Sequence, residues 1–185
     1  PRKDQVRLSL TQSYKPPTTQ NLIGRTNVNS KYPVNGANIA TSADSAANPG
    51  LKPELAKGID LAYERYLDGG GIVSVNFFRR NITDLIRSQV NLENVDYAPV
   101  QRFVSRPQNI GNAVTQGIEF DSKFRLSDAI TNAPPVNLRL NVSVYDSSVS
   151  GVPGPYNRID QQPRATGNFG LDYKLPATAW SVGGN

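Results

Sequence analysis

With neither histidine nor cysteine among its 185 residues, the chain lacks the side chains from which most nucleophile–base pairs and transition-metal sites are built. Acid–base chemistry would fall to carboxylates, and Asp60 with Glu64, or Glu119 with Asp121, are the pairs whose spacing offers it. Both pairs lie on what reads as a polar strand face, where carboxylates more often meet water and neighbouring chain than a substrate. Neither Gly-x-Ser-x-Gly nor a phosphate-cradling Gly-x-x-x-x-Gly-Lys occurs. Asp44, Asp68 and Asp146 offer oxygen ligands for Ca²⁺, but without the spacing of a calcium loop. The expectation is a protein that is not an enzyme and carries no cofactor, catalytic set or metal centre.

Binding chemistry is better represented. Arg25, Tyr32, Tyr156, Asn157 and Arg158 fall in long polar connections and combine hydrogen-bonding groups with aromatic faces suited to a polar small-molecule ligand. The bland alternative for each is a solvated loop residue. A net charge of +5 is compatible with nucleic acid, yet the basic residues are scattered singly and do not alternate with stacking aromatics, so no nucleic-acid partner is expected. A diffuse positive balance equally suits a protein among anionic lipid head groups.

The elements that must position these residues are strands. Val136 to Tyr145 sets Val136, Leu138, Leu140, Val142 and Val144 against Asn137, Arg139, Asn141 and Ser143, a period of two that makes one face aliphatic and the other polar. Arg164 to Leu175 repeats it, and Gln116 to Leu126 does so with Ser122 as the one break in its apolar row. In Ile59 to Leu67 the apolar row is Ile59, Leu61, Tyr63 and Leu67, interrupted by Arg65. Asp68-Gly69-Gly70-Gly71 then predicts a tight turn into a return strand carrying Val73, Val75 and Phe77. Val6, Leu8 and Leu10 mark an opening strand, Trp180 and Val182 a last one, and Gln101 to Ser105 a shorter piece that Pro107 is expected to bend.

About seven antiparallel strands result, since nothing between them has the length and period of a crossover helix. Short connections (Asp68 to Gly71, Ser127 to Pro135, Pro176 to Ala179) alternate with long ones (Lys15 to Glu54, Ser88 to Pro99, Ser147 to Gln162). Transmembrane barrels have this asymmetry, with short turns on the periplasmic side and long loops outside. No run of about 20 apolar residues exists, so no helix is expected to span a bilayer. The opening Pro-Arg-Lys-Asp lacks the apolar stretch of a signal peptide and has no initiator Met, as expected of a piece of something longer.

Five aliphatic side chains on one strand represent roughly 8–15 kcal/mol of burial, comparable to the whole net stability of a domain, about 5–15 kcal/mol. The apolar faces must therefore meet lipid, a second sheet or another molecule. A soluble β-sandwich binding or adhesion module shows the same alternation. Against it stand the charges on the polar face (Glu119, Asp121, Lys123, Arg125, Arg139, Arg164, Asp172, Lys174), as in a wet lumen, and the clustering of Tyr63, Phe124, Tyr173 and Trp180 near the short turns, as in an interfacial girdle. Arg79 and Arg80 are adjacent, so one of them must face outward beyond Phe77, where arginine could pair with lipopolysaccharide phosphates.

Four ordered segments add a family resemblance. Asn48-Pro-Gly-Leu-Lys-Pro-Glu54 resembles the Asn-Pro-x-Leu-Lys-Pro-Glu that precedes a late barrel strand in TonB-dependent outer-membrane receptors. Ser74 to Ile86 resembles that family's strand ending in Ile-x-Asp-Leu-Ile, Asn109 to Phe120 its Asn-x-Gly-x-Ala and Gly-x-Glu segment, and Gly151 to Arg164 a later loop and strand start. The resemblance implies an all-β fold, an antiparallel up-and-down meander forming a segment of a roughly 22-stranded transmembrane β-barrel. It also implies a Gram-negative outer-membrane location, uptake of a scarce ligand of the siderophore-iron, cobalamin or sugar class, and energy from a TonB-type coupling protein acting through an N-terminal plug. Residues 1–185 would then be a partial barrel without plug or remaining strands, an open curved sheet if isolated and not competent for transport alone. A non-transport barrel for adhesion or assembly is the third reading.

Overall fold

The computed structural model describes residues 3–175 and 178–185. Among these residues there are ten strands: β1 (Asp4–Lys15), β2 (Asp44–Ser45), β3 (Glu54–Tyr66), β4 (Ile72–Thr83), β5 (Ile86–Glu93), β6 (Arg102–Asn109), β7 (Ala113–Arg125), β8 (Val136–Val149), β9 (Ala165–Lys174) and β10 (Ser181–Gly184). Seven form one antiparallel sheet in the order β1-β3-β4-β7-β8-β9-β10, a meander in which each strand neighbours the next one of that sheet. Six of the seven have 10–14 residues, enough for the roughly 9–11 that a tilted strand needs to cross a bilayer.

The register explains why the alternation matters. Leu8 lies opposite Leu61, Leu61 opposite Phe77, Phe77 opposite Ile118, and Ile118 opposite Val144. One level away Val6, Tyr63, Val75, Phe120 and Val142 line up in the same way. Further along, Leu140 meets Phe169, and Val136 and Val182 flank Tyr173. A slip of one residue in any pair would turn that strand's apolar row inward, so register and patterning enforce each other. The result is one apolar band running across the whole sheet.

No second layer covers that band among the described residues. Leu10 is 76% exposed, Leu8 62% and Phe169 56%, while the buried apolar residues among those described are Leu51, Val104, Ala113 and Val149. The total accessible surface is 12458 Å², against about 8,700 Å² for a compact soluble monomer of this mass. A soluble β-sandwich, which needs two sheets over a shared dry interior, is not what these strands build. Tyr63, Phe124 and Tyr173 all lie on the apolar face at the short-turn end, and Trp180 beside them is 75% exposed.

Three sequence expectations are corrected in detail. Gln101 to Ser105 is not a strand of the main sheet: it becomes β6, which runs on through Pro107 to Asn109. The presumed loop Ser88 to Pro99 contains most of β5, and β2, β6 and β5 make a separate three-stranded sheet. In it β2 runs parallel to β6, so the chain is not wholly antiparallel. Pro107 does not break β6 because its carbonyl accepts from Asn48 Nδ2 at 3.0 Å on the side away from β5. A strand residue's N and C=O point the same way, so the missing N–H costs no bond to β5. Of the short turn 176–179, Pro176 and Ala177 lie outside the described residues.

Gly117 shows how tightly the inner face is fitted. It sits between Phe78 on β4 and Tyr145 on β8, whose rings meet across it with centroids 6.1 Å apart. A Cβ there would stand 2.6 Å from the Val144 carbonyl oxygen and 2.8 Å from the Phe78 ring. Gly117→Val is expected to destabilise the sheet by about 1–3 kcal/mol, the usual cost of overpacking, read as a lower urea midpoint. A wild-type midpoint would show that the aromatic pair is free to move aside.

Candidate functional site

The face opposite the apolar band is polar and cross-linked between strands. Arg7 on β1 pairs with Glu64 on β3 at 2.8 Å, and Asp60 on β3 with Arg80 on β4 at 3.0 Å. Asn76 donates to Glu119 at 3.1 Å and Asn141 to Asp121 at 3.4 Å. All of these side chains share the inner rows set by the register. The two carboxylate pairs considered for acid–base chemistry are thus engaged by cations and amides of the neighbouring strands. Of the two adjacent arginines, Arg80 turns inward to Asp60 and Arg79 outward, in the row of Phe77, donating to Gln116 Oε1 at 3.0 Å.

At the other end of the strands the long connections fold into a lobe. Its centre is Asp44, which with Arg102 has no exposed side-chain surface. Arg102 Nε donates to Asp44 Oδ2 at 2.6 Å and Nη2 to Oδ1 at 2.9 Å, a two-pronged ion pair. The Tyr97 hydroxyl and the Asn29 N–H each donate to the same carboxylate at 2.8 Å. Arg102 Nη1 donates to the carbonyls of Pro33 at 2.9 Å and Gly36 at 2.6 Å. The arginine hydrogen bonds, with those from Asn29 and Tyr97, outweigh burial and hold the Asp44 carboxyl down to about 2. Burial, then the hydrogen bond to Asp44, pushes the Tyr97 hydroxyl up to about 12. Asp44 is therefore consumed by a structural pair, while Asp68 sits at a short turn bonded to Lys3 and Asp146 on the outward row of β8. These three aspartates do not converge.

Further amides fasten the loops. Asn38 accepts from the Phe103 N–H at 2.6 Å and donates to its carbonyl at 2.9 Å, imitating a strand partner for β6. Asn109 accepts from the Lys52 N–H at 2.9 Å and donates to the carbonyls of Lys52 and Asp84. Glu54 accepts from the Ile86 N–H at 2.8 Å and pairs with Lys15 at 3.2 Å. Arg87 pairs with Asp160, joining β5 to the connection between β8 and β9. The segments singled out in sequence, Asn48 to Glu54 and Asn109 onward, are thus bonded to one another. Sequence reading missed Asp44–Arg102, because 58 residues separate the pair and neither lies in a recognisable spacing.

The five ligand candidates all lie at this long-loop end but in two groups. Arg25 is exposed beside a shallow hollow of about 170 Å³ that Ser45, Ser88 and Ser105 also line. Tyr32, in the same connection, is half-buried with Lys31 Nζ 5.9 Å above its ring. Tyr156 is 85% exposed. Asn157 accepts through its carbonyl from the Val149 N–H at 2.6 Å, and Arg158 Nη2 donates to the Tyr145 carbonyl at 2.9 Å. Arg158 Nε is buried with no partner in the described structure. Tyr156 presents its side chain to solvent, whereas Arg158 is turned back onto β8.

Comparison with known proteins bears on this arrangement. The family model described as TonB dependent receptor-like, beta-barrel matches residues 3–185. Among solved structures, the siderophore receptor PirA from Pseudomonas aeruginosa aligns with TM-score 0.65 at 15% identity, over 92% of this chain and 28% of its own. A variant of the ferric enterobactin receptor PfeA from Pseudomonas aeruginosa, in complex with enterobactin, aligns with TM-score 0.66 at 19% identity, over 99% and 25%. PirA from Acinetobacter baumannii gives 0.64 at 21% identity, over 94% and 25%. The chain therefore spans about a quarter of the length of these receptors. No curated protein matches the sequence.

Proposed function

The chain belongs to the TonB-dependent receptor β-barrel family, and on that premise we propose that it forms part of an outer-membrane receptor that takes up a scarce small ligand, with ferric siderophores the first candidates over cobalamin or sugars. The supporting observation is the continuous apolar band on one face of the seven-stranded sheet, uncovered by protein, with a charged and hydrogen-bonded face behind it. That division suits hydrocarbon outside and a wet channel within. Siderophores come first because PirA and PfeA are described as receptors for a siderophore and for ferric enterobactin. In this reading residues 1–185 are one part of a closed barrel, energy comes from a TonB-type partner through a plug elsewhere in the receptor, and the part alone transports nothing. Arg25, Tyr32, Tyr156, Asn157 and Arg158 are proposed ligand contacts.

Deleting the whole receptor should abolish growth on one ferric siderophore as sole iron source, and the intact gene should restore it. Unchanged growth on every siderophore tested, with loss of cobalamin or sugar uptake instead, would move the reading to another ligand class. Unchanged uptake of all three would favour a barrel for adhesion or assembly.

The lipid partner is proposed from Arg79 and Lys57. Both stand in outward rows above the apolar band, Arg79 opposite Ile59 and Lys57 opposite Asn81. At the outer leaflet they would meet lipopolysaccharide phosphate. Removing each charge is expected to weaken retention about fivefold, following roughly 1 kcal/mol per basic residue near an anionic surface. The check is the lipopolysaccharide-to-protein ratio of the purified receptor carrying Arg79→Ala and Lys57→Ala; an unchanged ratio would contradict it.

A further inference from the structure

The turn that anchors Arg102 carries a chemistry of its own. Asn35-Gly36 is the one Asn-Gly pair in the chain, and a glycine in second place leaves its backbone nitrogen without a side chain to shield it. Asn35 is exposed, and the turn around it is closed by the Gly36 N–H donating to the Pro33 carbonyl at 3.0 Å. Both ends of that turn are held by one atom: Nη1 of the buried Arg102 donates to the Pro33 carbonyl at 2.9 Å and to the Gly36 carbonyl at 2.6 Å.

The backbone does not call for glycine here. The positive-φ glycines among the described residues are Gly70 and Gly111. A Cβ on Gly36 would meet the Pro33 carbonyl oxygen at 3.6 Å and the Pro33 Cβ at 3.8 Å, ordinary van der Waals distances, so an alanine would fit. What the missing side chain does is leave the Gly36 nitrogen open towards Asn35 Cγ.

We infer that Asn35 is a site of spontaneous imide formation, and that its isoaspartate product unfastens Arg102. The Gly36 nitrogen forms a bond to Asn35 Cγ, the Cγ–Nδ2 bond breaks, and ammonia leaves carrying the proton that the Gly36 nitrogen gives up. The product is a cyclic succinimide. Water then adds to one of its two carbonyls. Opening at the first leaves aspartate; opening at the second leaves isoaspartate, in which the main chain runs through the former side chain and is one carbon longer. No oxidant or reductant takes part.

In the folded lobe the nucleophile is occupied, because the Gly36 N–H is bonded to Pro33. The reaction therefore proceeds from the state in which the turn has opened, and the Asp44–Arg102 network sets its rate. Isoaspartate then removes the basis of the closed state. With an extra carbon before Gly36, the two carbonyls no longer converge on Arg102 Nη1, and a buried guanidinium short of acceptors is costly. The rest of the sequence supplies internal comparisons. Every other asparagine from Asn21 to Asn168 precedes a residue that carries a side chain. Asp68-Gly69 presents a carboxylate, bonded to Lys3 at 2.9 Å, in place of the more electrophilic amide.

The test incubates the purified whole receptor in mildly alkaline buffer and maps its peptides by mass, with isoaspartate detected by enzymatic methylation. Asn35 should show the mass gain of amide-to-acid conversion and become the main isoaspartate of residues 1–185. Gly36→Ala should leave Asn35 unconverted over the same period, with the β5 and β6 amides as protected from hydrogen exchange as before. Asp44→Ala should speed conversion at least about tenfold, since it breaks the buried pair that keeps the turn closed. The converted receptor should lose protection in β5 and β6, whereas Asn35→Asp, which has the charge without the extra carbon, should keep it. Absence of conversion in both wild type and Asp44→Ala, or a wild-type rate in Gly36→Ala, would overturn the site. Equal rates in wild type and Asp44→Ala would overturn control by the buried pair, and full protection after conversion would overturn the link to Arg102.

Discussion

Ile118→Arg is expected to cost the membrane-embedded receptor about 2–4 kcal/mol, the penalty for a cation near the bilayer midplane on the lipid face of a barrel. Ile118 is the centre of the outward band, between Phe77 and Val144 and 54% exposed. In a water-soluble sheet an exposed isoleucine would accept arginine within about 0.5 kcal/mol. The matched control is Thr166→Arg, an exposed inner-row position opposite Ser143, which should change stability by no more than about 0.5 kcal/mol. Urea unfolding in liposomes, read with heat-modifiable gel mobility, measures both. Equal costs at the two positions would mean that the two faces meet the same solvent.

The second large effect is at Asp44. Asp44→Ala leaves Arg102 buried without its counter-ion, and breaking a buried pair in this way typically costs about 3–5 kcal/mol. The loss should fall on the loop lobe and spare the main sheet, because every group bonded to Asp44 lies between Asn29 and Arg102 in the long connections. Hydrogen exchange should show amides of β5 and β6 losing protection while those of β7 and β8 keep theirs. Asp44→Leu with Arg102→Met should recover much of the loss, since neither charge is then stranded.

The same carboxylate gives a pH dependence with a definite sign. Its folded value, about 2, lies below the ordinary 3.8. Its contribution is therefore complete above about pH 4 and is lost as pH falls towards 2. Tyr97 works in the other direction: raised from 10.0 to about 12, it supports the lobe below pH 10 and ceases to do so as pH rises through 12. Between these limits the lobe's protection should be flat. A transition near neutral pH would show that some other group governs it.

How much was legible in the sequence follows from what each signal encodes. Strands β7, β8 and β9 were readable because their side chains alternate between two solvents, and local alternation is a local property. That one of Arg79 and Arg80 must turn outward was readable from their adjacency, and the structure gives that place to Arg79, in the row of Phe77. By contrast, β5 was hidden and β6 was read only as the short piece Gln101 to Ser105, because Arg102 to Asn109 is buried on both faces in places and contains Pro107, so no period shows and the proline reads as a breaker. The lobe itself depends on Asp44 finding Arg102, and on Asn38 and Asn109 serving as surrogate backbone. Side-chain amides that complete a ladder leave no sequence period. Asp44 read as a loose oxygen ligand for the same reason.

The central claim is that the apolar rows face hydrocarbon and the alternate rows do not. The most direct measurement places single spin labels from Gln116 to Ser122 along β7 of the whole receptor in liposomes and records collision with dissolved oxygen. Oxygen collision should peak at Ile118 and Phe120 and fall at Gly117, Glu119 and Asp121, a period of two in phase with the register. Uniform collision along β7, or peaks at the charged positions, would contradict the account.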